Sequence, residues 1–121
     1  MALTQSPAVV PEHASRLVER PRGRRVVELE GEHDVSTVGL LAATIARAIA
    51  QGDEDLVLDL RAIRFLDASS VTVFVRARAF LADRSRTLTL QRPPSCARRL
   101  IDVCGLAGLV QLSSPAGPGG P

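Results

Sequence analysis

The chain has 121 residues, 45% of them hydrophobic, and a formal net charge of +2, which suits one domain with a single core. All 15 basic residues are arginine and the only aromatic side chains are three phenylalanines in core-type patterns, a poor set for stacking bases, so direct nucleic-acid binding is not expected. No apolar run approaches the roughly 18 residues of a bilayer span and no charged segment leads into an apolar one at the start, so a cytoplasmic protein without membrane insertion is expected.

Residues 1–12 read as a flexible, proline-broken leader, and residues 13–112 as the folded domain. His13 to Glu19 fits a short edge strand cut off by Pro21 and Gly23, and Val26 to Glu30 a clearer one. Arg20, Arg22, Arg24 and Arg25 cluster between them as a solvated basic loop. Ser36 or Thr37 is placed to cap a helix whose apolar stripe is Leu40, Leu41, Thr44, Ile45, Ala48 and Ile49, stopped by Gly52. After the acidic turn Asp53-Glu54-Asp55, the run Leu56-Val57-Leu58-Asp59-Leu60 reads as a strand buried on both faces. Phe65-Leu66-Asp67-Ala68-Ser69-Ser70-Val71 follows, and Val71, Phe74, Val75, Arg78 and Leu81 then repeat at helical spacing over about Ser69 to Asp83. Ser69 and Ser70 thus fall at a helix N-terminus, where unpaired N–H groups and the helix dipole favour an oxygen acceptor or an anion.

Thr87 to Leu90 alternates as a half-buried strand, and Pro93 and Pro94 break the chain. Ser95 is placed to cap a helix carrying Ala97, Leu100, Ile101 and Cys104, which Gly105 closes. Leu109 to Leu112 fits a last short strand or the start of a helix, and residues 113–121 a disordered tail. Cys96 and Cys104 lie on one predicted helix about 12 Å apart at 1.5 Å per residue, too far for a disulfide, which needs under about 7 Å. Cysteines and histidines at unrelated spacings give no metal site, and no cofactor is expected. Strands alternating with helices indicate an α/β fold, a small mixed, mostly parallel sheet covered by helices, whose binding residues gather at the carboxyl edge. Asp34 and Asp67 both fall at such strand ends, so they and Ser69 share one rim if the two strands are neighbours.

Three segments together resemble the STAS domain family of anti-sigma factor antagonists. Phe65-Leu66-Asp67-Ala68-Ser69-Ser70-Val71 is similar to that family's Phe-x-Asp-Ser-Ser-Gly-Leu signature, and Gly31-Glu32-His33-Asp34 to its Gly-Glu-x-Asp. Pro94 to Leu106 resembles its Ser-Pro-x-Val-x-x-Leu segment ending in Gly-Leu. The resemblance spans roughly Val26 to Leu112 and implies the same small sheet with helices.

It also implies a function: binding an anti-sigma factor that is a GHKL-type serine kinase, with release when a serine is phosphorylated. The implied partner surface is Asp34, Asp67, Ala68, Ser69 and Ser70. With aspartate aligned on aspartate, the family's acceptor falls on Ala68, its second serine on Ser69 and its glycine on Ser70. Ser69 is therefore the expected acceptor and Ser70 the alternative. A domain that is never phosphorylated and binds constitutively is the third reading. Asp67 fits a helix cap as well as a partner contact, Asp34 also fits a plain turn, and His33 reads as a surface residue. Asp67 with Ser69 lacks a third catalytic group, so no enzyme is expected. A subunit of a transport or lipid-trafficking ABC complex, or a stressosome-like scaffold, is the alternative function, and a homodimer is compatible with all of them.

Overall fold

Strands and helices alternate along the computed structural model, which describes residues 13–20 and 23–112. The order is β1 (His13–Arg20), β2 (Arg24–His33), α1 (Val38–Ala50), β3 (Asp55–Leu66), α2 (Ala68–Ala82), β4 (Leu88–Gln91), α3 (Ser95–Val103), a 3-10 turn (Ala107–Leu109) and β5 (Val110–Gln111). The expected leader and tail lie outside the described residues. One sheet runs β1-β2-β3-β4-β5. The β1–β2 pair is antiparallel and every other pair parallel, as the α/β reading anticipates.

Each parallel step is bridged by a helix, and right-handed crossovers in this unbroken strand order put all three helices on one face. The core agrees, because a single cluster joins Leu41 and Ile45 of α1, Phe74 and Leu81 of α2, Ile101 of α3, and Val27, Leu29, Leu58, Leu60 and Leu90 of the sheet. Leu56 to Leu60 is buried throughout. The alternate residue Asp59, only 5% exposed, pairs with Arg92 at 3.5 Å and Arg61 at 3.9 Å. Arg25 also leaves the expected basic loop: it is buried and holds both Glu54 oxygens at 3.1 Å and Gln51 Oε1 at 3.0 Å.

β2 and β3 both run past their expected ends, and two irregularities between them hide the continuation of β3. Glu28 pairs with Asp59 but Glu30 with Ala62; Gly31 pairs with Ile63 but Glu32 with Phe65. β3 therefore carries one extra residue at each place, a β-bulge. Each bulge leaves two successive side chains outside, Arg61–Ala62 and Arg64–Phe65, with Ile63 and Leu66 inside. This breaks the two-residue period that marks a strand in sequence. The view of the phenylalanines as core residues is also corrected: Phe74 is fully buried, but Phe65, beside the second bulge, and Phe80, on α2, are 47% and 44% exposed.

Helix ends supply the other differences. Thr37 stands at the N-cap of α1 without a side-chain cap bond; its hydroxyl turns back to accept from Asp34 N–H at 3.1 Å and donate to Asp34 O at 3.2 Å. Pro94, not Ser95, is the N-cap of α3, and Ser95 takes the first helical position. At the other end, Gly105 has φ +82°. Its N–H donates to Asp102 O and that of Leu106 to Ile101 O, both at 3.0 Å, the paired bonds that satisfy the last carbonyls of a glycine-terminated helix. Cys104 is the C-cap rather than a helix residue, and both cysteines are free and exposed.

Candidate functional site

The rim is built where β2 and β3 end. Their last paired residues are His33 and Leu66, and Asp67 N–H donates to His33 O at 3.1 Å. The next residue on each chain is an aspartate, so Asp34 and Asp67 stand at adjacent strand ends, as the expectation required.

Asp67 is the N-cap of α2, in extended backbone, because its short carboxylate reaches the free N–H groups of the first turn. Its Oδ1 accepts Ser70 N–H at 3.1 Å and Ser69 Oγ–H at 2.6 Å, with Ser70 Oγ–H longer at 3.4 Å. Ser69 is therefore not the cap but a first-turn residue whose hydroxyl is held by the cap. Ala68 is exposed, Ser69 half-buried and Ser70 fully buried. Of the two serines proposed as acceptors, only Ser69 is open to a partner without unwinding the helix.

Asp34 is arranged in the same way. Its Oδ1 accepts Ser36 N–H at 2.9 Å and Ser36 Oγ–H at 2.6 Å. The Ser36 hydroxyl holds the Asp34 carboxyl below its ordinary pKa, against desolvation and the charge of Asp67. At Asp67, burial pushes the pKa up, but bonds from the Ser69 hydroxyl and the Ser70 amide outweigh it and leave the group lowered. Both carboxylates are ionised at neutral pH, and the rim is doubly negative.

His33 is fully buried, which corrects its reading as a surface residue; Nε2 lies 3.0 Å from Glu30 O, at the end of β2. Ser36, read in sequence only as a helix cap, is a further contributor to the rim. The repeated Asp-x-Ser spacing was the available signal for Ser36. Val35, 71% exposed, adds an apolar side chain between Asp34 and Ser36. Among the described residues no cluster of three His, Cys, Asp or Glu side chains could hold a metal ion, and no helix is long and apolar enough to cross a membrane.

A parallel sheet with an antiparallel edge strand, helices bridging each parallel step, and an aspartate capping the helix after the central strand define a small α/β domain. The family model described as Mlab, STAS domain, matches residues 17–111, and the chain belongs to the STAS domain family. No curated protein matches the sequence. Among solved structures, the chain is similar to the anti-sigma factor antagonist SpoIIAA in its unphosphorylated form, at 24% identity and TM-score 0.75, covering 84% of this chain and 90% of that one. The phosphorylated form of the same Bacillus cell fate determinant gives 24% identity and TM-score 0.69, over 84% and 93%. An anti-sigma factor antagonist from Mycobacterium paratuberculosis gives 21% identity and TM-score 0.76, over 91% and 92%. At these identities the likeness establishes the shared fold.

Proposed function

We propose that this chain is a cytoplasmic anti-sigma factor antagonist, a binding module rather than an enzyme. It docks an anti-sigma factor of the GHKL serine-kinase type on the rim of Asp34, Asp67, Ala68, Ser69 and Ser70, and phosphorylation of Ser69 releases it. The observation that carries this reading is the adjacency of the two strand-end aspartates, with the half-buried Ser69 hydroxyl held 2.6 Å from Asp67. Solved forms of SpoIIAA, a fold neighbour, include both an unphosphorylated and a phosphorylated state. A phosphate at Ser69 adds about −1.5 to −2 charges to a rim that already holds two carboxylates. Burying that charge against a partner costs several-fold to many-fold in affinity, since each factor of ten needs only about 1.4 kcal/mol.

The test is titration calorimetry of the chain against each purified anti-sigma kinase of its own cell. The expected result is one tight partner whose affinity falls at least tenfold with Asp34→Arg or with phosphorylated chain. Binding to none of those kinases, while a purified ABC transporter ATPase of the same cell binds in the same assay, would overturn it. A second reading is favoured by Ala68, which carries no hydroxyl at the family's acceptor position: a module that binds constitutively, as in a transport or lipid-trafficking complex. Normal binding with no phosphate on Ser69 selects that reading.

A further inference from the structure

Two neighbouring strands of this sheet end in the same pattern, Asp34-Val35-Ser36 after β2 and Asp67-Ala68-Ser69 after β3. The likeness extends to the atoms. In each unit the serine hydroxyl donates to Oδ1 of the aspartate two residues before it at 2.6 Å. The same oxygen also takes a backbone N–H, from Ser36 at 2.9 Å and from Ser70 at 3.1 Å. The units lie side by side, joined by the bond from Asp67 N–H to His33 O at 3.1 Å, so a partner covering one meets the other.

Access separates them. Ser69 is half-buried in the first turn of α2, whereas Ser36 is exposed and lies in the loop before α1 begins at Val38. A turn at Asp34 needs only the Ser36 amide; the hydroxyl adds a second, shorter bond and stays open to solvent. A kinase has to surround the hydroxyl it modifies, and an exposed loop serine meets that need more readily than a helical one.

Resting on the reading of Ser69 as a kinase substrate, we propose that Ser36 is a second phosphoryl acceptor for the same partner. The co-reactant is the ATP bound by that kinase. Ser36 Oγ attacks the γ-phosphorus, the new O–P bond forms as the bond to the β,γ-bridging oxygen breaks, and ADP leaves. The hydroxyl proton passes to a base of the kinase and on to water. Asp34 orients the hydroxyl through its 2.6 Å bond. The rim then has two phosphate positions, and affinity for the partner steps down with each.

The experiment incubates the purified full chain with ATP and each GHKL-type serine kinase of its own cell, one at a time. Phosphate is counted by intact mass and located by peptide mass spectrometry. Expected are two phosphates on wild type, one on Ser69→Ala mapped to Ser36, one on Ser36→Ala mapped to Ser69, and none on the double variant. Phosphate at Ser36 in wild type supports the proposal even if a variant fails to fold. Phosphate at Ser69 in wild type, with none at Ser36 in either wild type or Ser69→Ala, overturns it and leaves the Ser69 switch standing. Phosphate at Ser36 alone supports it and removes Ser69 as acceptor. Phosphate at neither residue, on a chain the kinase still binds, overturns both.

Discussion

Replacing Asp67 by alanine separates its role as a helix cap from its role as a rim charge. Loss of an N-cap side chain costs about 1 kcal/mol. Here the same carboxylate also holds the Ser70 amide and hydroxyl, and Ser70 is fully buried, so an unsatisfied polar group adds about 1 kcal/mol more. The expected loss for Asp67→Ala is about 2 kcal/mol in urea unfolding followed by circular dichroism at pH 7. Asp67→Asn keeps an acceptor at the cap and removes the charge, so it should lose less than about 0.5 kcal/mol.

The pH dependence gives an independent check. The folded Asp67 pKa lies below its ordinary value of 3.8, so the ionised group contributes stability that is complete above 3.8 and fades as pH falls through the folded pKa. The gap between wild type and Asp67→Ala should be flat from neutral pH down to about 5 and narrow below the ordinary carboxylate range. A penalty under about 0.5 kcal/mol for Asp67→Ala, or a gap that widens in acid, would refute the assignment of Asp67 as the charged cap.

Three further outcomes follow from the same structure. Phe74→Ala empties a fully buried site in the middle of α2 and should cost about 3–5 kcal/mol by denaturant titration. Gly105→Ala should cost about 1 kcal/mol in the same assay, although nothing lies within 4 Å of the added methyl, because φ there is +82°. Ala68→Ser restores a hydroxyl at an exposed position; it should leave stability within about 0.5 kcal/mol and raise phosphate incorporation by a cognate kinase if register limits it, which intact-mass measurement reads directly.

Much of the site was legible because it depends on residue type at strand ends. Aspartates after β2 and β3, each followed by a helix, predicted a shared rim, and the parallel β2–β3 pairing with His33 against Leu66 places them there. Core helices were legible for a related reason: Leu41, Ile45, Phe74, Leu81 and Ile101 recur at helical period and are all buried. What failed was local geometry that a period cannot express. The capping role open to Asp67 in the sequence is the one it takes, but that its carboxylate also holds the Ser69 hydroxyl could not be read from spacing. Burial of His33 follows the inward alternation of Val27, Leu29 and Gly31 once β2 is carried to its full length, and exposure of Phe65 depends on an extra residue in β3. The extra residue leaves no mark in the spacing of apolar residues, and His33 is missed because the expected strand ends three residues early.

The paired bulges of β3 have a counting consequence. One extra residue turns every later side chain of a strand to the opposite face; a second turns them back. With both, Leu66 points inward like its partner His33, and Asp67 emerges level with Asp34. Deleting a single residue between Arg61 and Phe65 would send Leu66 outward and carry the serine-bearing turn to the wrong side of the sheet. Deleting one from each bulge would preserve parity. In this stretch, then, insertions and deletions are compatible with the rim in even numbers, and the facing of Ser69 is set by arithmetic upstream of it as much as by its own neighbours.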